Sequence, residues 1–130
     1  MTLITVSNNY GQLAFLSQLL ITLIPGCTIH QCCDPMRAIQ HLACRKVDAM
    51  FADADTICDM MNMLSRQKKN TQIWILCRQG TALPEIIAGY YGVLTYPITE
   101  QEMRTALQRT IRCVEKNRKK LENDCTIFDY

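Results

Sequence analysis

The chain has 130 residues, 48% of them hydrophobic and 20% charged, with a net charge of +2. That is enough chain for one domain with a real hydrophobic core, and too little charge to imply nucleic acid as a partner. Its longest apolar stretch, Leu13 to Ile24, is broken by Ser17, Gln18 and Thr22, is too short to span a bilayer and has no charged segment before it. A membrane anchor and a secretory leader are therefore not expected, and the cytoplasm is the expected compartment.

Short apolar runs alternate with helical patterns along the chain, which predicts a parallel sheet covered by helices. Leu3 to Val6 reads as a buried strand. Leu13, Leu16, Leu20 and Leu23 then recur at helical spacing, and Gly26 ends that helix. Cys27 to Cys33 alternates polar and apolar residues, as an edge strand with one wet face does. A short helix follows from Pro35, with Ile39 and Leu42 facing inward. The third strand runs through Ala49 to Ala52 and ends at Asp53. Ile57, Met60, Met61 and Leu64 give the next helix its inward face, with Asp55 placed to cap it. Ile73 to Cys77 is apolar on both faces and reads as a central strand. A compact helix is predicted over Leu83 to Tyr90, a last strand over Val93 to Thr95, and a final helix from Thr99, where Thr99-Glu100-Gln101-Glu102 resembles a capping box.

Eight cysteines raise the question of disulfides or zinc. No pair has CxxC spacing, and His30 and His41 complete no zinc pattern, so reduced structural thiols are expected. There is no nucleophile elbow and no nucleotide loop, so no enzyme is expected.

Over residues 2 to about 120 the sequence resembles the receiver domain of bacterial two-component response regulators. The segment Ala88-Gly89-Tyr90-Tyr91-Gly92-Val93-Leu94-Thr95-Tyr96-Pro97 resembles that family's AGADDYLTKP, and Asp48 to Asp53 resembles its DLILLD strand. The resemblance implies a flavodoxin-like, three-layer α/β/α sandwich with a five-stranded parallel sheet of order 2-1-3-4-5 and a site at the carboxyl ends of the strands. Asp53 then matches the phosphoacceptor. Ser7 and Asn8 (or Asn8 and Asn9, one register on) match the acidic pair that holds magnesium, Cys77 matches the hydroxyl, Tyr96 the lysine and Val93 the aromatic switch position. The Met-Pro-Gly stretch after the acceptor is absent.

Magnesium prefers anionic oxygens and sheds water reluctantly, so neutral Ser7 and Asn8 leave Asp53 as the one strong ligand, and bound magnesium or any other metal is not expected. Phosphoryl transfer also needs a fixed cation, which Tyr96 cannot supply, and Cys77 is a weak donor. The expectation is a degenerate receiver (a pseudo-receiver), a non-enzymatic regulatory and interaction module of a transcriptional response regulator. The alternatives are a working phosphoacceptor at Asp53 and a small-ligand sensor in the altered acidic pocket. A homodimer is expected through the helix at 83–90, the last strand and the final helix, with Tyr90, Tyr91, Glu100, Arg104 and Arg112 as interface candidates. A regulatory protein is a possible further partner. The basic run Arg112 to Lys120 lacks the aromatics and helix-turn-helix of a DNA reader, and residues 121–130 read as a tail or the start of a linker to an output domain.

Overall fold

The protein was analysed as a computed structural model that describes residues 1–64, 71–78, 80 and 92–127; the side chains of 61, 62, 64, 117, 118 and 120–127 lie outside that description. Five parallel strands form one sheet in the order β2-β1-β3-β4-β5: β1 (Thr2–Val6), β2 (Thr28–Cys32), β3 (Ala49–Asp53), β4 (Gln72–Arg78) and β5 (Gly92–Tyr96). Among the described residues there are four helices, α1 (Tyr10–Leu23), α2 (Pro35–Cys44), α3 (Ala54–Leu64) and α4 (Glu100–Ile127). The sheet and its order are those expected. The helix expected over 83–90 lies outside the described residues.

Alternation along each strand builds two separate core layers. Leu3, Phe51, Trp74, Leu76 and Leu94 point to one face, where Leu16 and Leu20 of α1 and Met103, Ala106 and Leu107 of α4 cover them. Ile4, Val6, Met50, Ala52, Ile75 and Cys77 point to the other, against Ala38 and Leu42 of α2 and Ile57 and Met60 of α3. The central strands read as continuous apolar runs because both faces are buried, whereas β2 buries little beyond Cys32, as an edge strand does.

Local chemistry sets the helix ends. Asn9 caps α1 by accepting the Gln12 N–H at 3.2 Å, and Asp34 caps α2 by accepting the Met36 N–H at 3.0 Å, with Pro35 in the first turn. After α1, Gly26 adopts φ +84°, a left-handed turn that directs the chain into β2. Thr99 Oγ1 accepts the Glu102 N–H at 3.1 Å and opens α4.

Two expectations need amendment. Asp55 does not cap α3. Strand β3 runs straight into a helix beginning at Ala54, which leaves Asp55 in the first turn, where negative charge favours the helix dipole. The thiols are less uniformly interior than their strand and helix positions implied: Cys32 and Cys77 are buried, but Cys33, Cys44, Cys58 and Cys113 are exposed. The final helix extends to Ile127, so the first part of the 121–130 tail is helical.

Candidate functional site

The carboxyl ends of β1, β3, β4 and β5 converge, and register decides what meets there. Val6 pairs with Ala52, Asp53 with Leu76, Cys77 with Thr95 and Arg78 with Tyr96. Ser7 continues the β1–β2 ladder by donating its N–H to the Cys32 carbonyl at 3.1 Å, and this fixes its side chain beside Asp53. Ser7 is fully buried, and its Oγ donates to Asp53 Oδ2 at 2.5 Å while accepting the Asn9 N–H at 3.1 Å.

Ser7 has one hydroxyl proton, and Asp53 takes it. The Gln12 carboxamide is therefore oriented with its nitrogen toward the site, where its oxygen would face only acceptors. In that orientation Nε2 donates to Asp53 Oδ2 at 2.9 Å and lies 3.1 Å from Ser7 Oγ. On the other side the Tyr96 hydroxyl donates to Asp53 Oδ1 at 3.4 Å, a long contact. Three neutral side chains thus close around one carboxylate.

The electrostatics follow from that enclosure. Burial lifts the Asp53 carboxyl above its usual range, a rise that Asp55 adds to and that the bonds from Ser7 and Tyr96 and the Arg78 charge only partly offset. Tyr96 is pushed well above an ordinary phenol, first by burial and then by the adjacent Asp53 charge. It remains a neutral donor.

In front of the carboxylate lies an open cleft of about 260 Å³, lined by Asn8, Asn9, Gln12, Asp55, Arg78 and Tyr96 among others. Asn8 is exposed at its rim. Cys77 reaches the cleft wall but contacts Thr95 Oγ1 (3.9 Å) rather than Asp53. Two participants escaped sequence reasoning. Gln12 sits in the first turn of a helix, where glutamine ordinarily means solvent; the available signal was its position one turn after Ser7-Asn8-Asn9. Arg78 is the single cation lining the cleft among the described residues, and its place at the end of a central strand was the clue.

The interface candidates do not form one set. Tyr90 and Tyr91 lie outside the described residues. Glu100 and Arg104 form an exposed ion pair with each other at 2.7 Å, and they rim a groove against Thr22 and Leu23 of α1 and Ile24 just after it. The side of α4 toward β5 carries Gln101, Thr105 and Arg109 instead. Arg112 is exposed.

No family model matches the chain, and no curated protein does. Solved structures do. The signal receiver domain of an HD domain-containing protein from Pseudomonas fluorescens Pf-5 aligns with a TM-score of 0.71 at 24% identity, covering 91% of each chain. The N-terminal domain of a response regulator/sensory box/GGDEF protein from Carboxydothermus hydrogenoformans gives 0.73 at 16% identity, over 90% of this chain and 98% of that one. A response regulator receiver domain from Clostridium thermocellum gives 0.66 at 18% identity, over 92% and 97%. This chain has the receiver fold. Within that fold Asp53 stands at the end of β3 and Tyr96 at the end of β5, where the strand ends converge. Among the described residues no helix is long and apolar enough to cross a membrane.

Proposed function

We propose that this protein is a regulatory, non-enzymatic interaction module of a signal-transduction pathway, working without phosphorylation of Asp53. One observation carries the reading: Ser7, Gln12 and Tyr96 occupy the Asp53 carboxylate with neutral hydrogen-bond donors. A phosphoacceptor needs a free oxygen to attack and cations to neutralise the transferred group. Here both oxygens are engaged, Asn8 and Asn9 are neutral, and Arg78 is exposed at the rim without an ion pair to Asp53.

The donor set does not fit magnesium either. Magnesium is held through one or two carboxylates and keeps several waters; of the two carboxylates at this cleft, Asp53 is already engaged by Ser7 and Gln12, and binding would displace those bonds. A ligand that binds only the native state must raise its melting temperature. Millimolar magnesium is therefore expected to leave the unfolding midpoint within about one degree of its value in chelator. A rise of several degrees that Asp53→Asn removes would contradict this.

If Asp53 is not phosphorylated, the signal comes from a contact whose free energy differs between states. We place that contact on the protein surface, with a second copy or a regulatory protein as partner. Service in a cytoplasmic regulator of transcription is the role that the sequence resemblance implies.

A further inference from the structure

The cleft in front of Asp53 carries two ions that the closed carboxylate does not use. Asp55, in the first turn of α3, and Arg78, the last residue of β4, both line it and are both exposed. Their elements set them on different walls. Asp53 pairs with Leu76, so β4 runs two residues beyond that pair to Arg78, while the chain after Asp53 turns at once into α3. Among the described residues neither ion is paired; the one ion pair there joins Glu100 to Arg104. Both nevertheless bear on Asp53. Burial is the main cause of its raised titration, and behind that Asp55 pushes the value up while Arg78 pulls it down. Two opposite charges thus flank a carboxylate already occupied by Ser7, Gln12 and Tyr96.

We infer that this cleft binds a small zwitterion of the free amino acid class, its carboxylate on Arg78 and its ammonium on Asp55. Each competing class loses one of these contacts. A simple anion that takes Arg78 meets repulsion from Asp55 and Asp53, and a simple cation that takes Asp55 meets repulsion from Arg78. A metal ion has less still, because among the described residues no three His, Cys, Asp or Glu side chains gather as ligands. A zwitterion satisfies both ions, and its carboxylate can accept paired, charge-assisted bonds from the guanidinium.

Size and lining narrow the ligand further. The cleft holds about 260 Å³, below the roughly 300–1,000 Å³ of pockets that enclose drug-sized molecules, which suits an amino acid better than a nucleotide. Much of the remaining wall is neutral and polar, with the Asn8 and Asn9 amides and the Tyr96 hydroxyl, so a short polar side chain fits better than a bulky apolar one. A ligand bridging Arg78 and Asp55 ties the end of β4 to the start of α3. The interaction module then has a bound and a free state of different free energy, as signalling requires.

The inference rests on the reading of Asp53 as closed, because an open Asp53 carboxylate would compete with Asp55 for the ammonium. Its test uses neither magnesium nor a phosphodonor, so its outcome is read separately from any phosphate uptake. Calorimetric titration of the full chain with glycine, L-serine and L-glutamine, in a buffer free of amines and zwitterions, is expected to give a dissociation constant of about 1 mM or tighter for at least one of them. The amide of that amino acid, which lacks the carboxylate, and its N-acetyl form, which lacks the ammonium, should each bind at least about tenfold more weakly. Arg78→Gln and Asp55→Asn should each weaken it by about tenfold or more, with melting curves confirming that both variants fold. Arg112→Gln, on the exposed face of α4, should leave it unchanged. No binding of any of the three at about 10 mM overturns the inference. So does binding that either blocked form reproduces, or that tolerates either cleft substitution.

Discussion

Trp74→Ala is expected to lower unfolding free energy by about 3–5 kcal/mol through the α1/α4 face of the sheet. Trp74 is 3% exposed at the centre of β4, and its ring is held from three directions. Its Nε1–H donates to Thr110 Oγ1 at 3.2 Å, the Arg109 guanidinium stands 5.3 Å from the ring centroid, and the ring lies directly over Gly92 on β5. A Cβ at Gly92 would come within 2.4 Å of the ring, so the indole occupies space that any other residue at 92 would claim. Alanine at 74 removes the apolar volume and leaves a void that the β-sheet backbone cannot close. Trp74→Phe should lose much less, because the ring contact persists and Thr110 keeps its bond to the Ala106 carbonyl at 3.1 Å. Urea unfolding followed by circular dichroism measures both. A loss under 1 kcal/mol for alanine would contradict the packing described.

The second large effect concerns the site. Ser7→Ala should cost about 1–3 kcal/mol at neutral pH, since it strips a half-buried carboxylate of its closest donor and leaves the Asn9 N–H without its acceptor. The loss should depend on pH in a defined direction. The native Asp53 carboxyl titrates above its ordinary value of 3.8, so the folded state binds a proton that the unfolded state does not. Stability associated with Asp53 therefore increases as pH falls through the native value, and the gain is complete below 3.8. Ser7 opposes this rise, so its removal moves the native value further up and starts the gain at a higher pH. The difference between wild type and Ser7→Ala should narrow on acidification and be widest near neutrality. In an Asp53→Asn background the pH dependence of the difference should vanish. A loss that is flat with pH would assign Ser7 a purely steric role.

Much of the architecture was legible because the central strands are buried on both faces. Runs such as Ala49–Ala52 and Ile73–Cys77 carry no polar interruption, and periodicity alone separates them from the helices between. The family resemblance implied that Ser7, Asn8, Asp53, Cys77 and Tyr96 share the strand ends; Ser7 and Tyr96 do meet Asp53 there, whereas Cys77 turns to Thr95 and Asn8 to the exposed rim. What escaped was the direction in which helical side chains point. Gln12 reaches Asp53 because α1 docks with that flank toward the sheet ends, and Glu100 and Arg104 face α1 rather than β5 because of how α4 rolls on the core. Such rotations are set by packing of Leu16, Leu20, Met103 and Leu107 against one another, which one-dimensional periodicity does not resolve. The exposed thiols are a similar case: Cys44 and Cys58 occupy helices, but on their outer faces.

The central claim is that Asp53 is closed to phosphoryl transfer, and intact mass spectrometry tests it most directly. Incubation of the protein with magnesium and an excess of acetyl phosphate should leave the mass unchanged over a period that labels ordinary receivers. A stoichiometric gain of one phosphate, abolished by Asp53→Ala, would contradict the account.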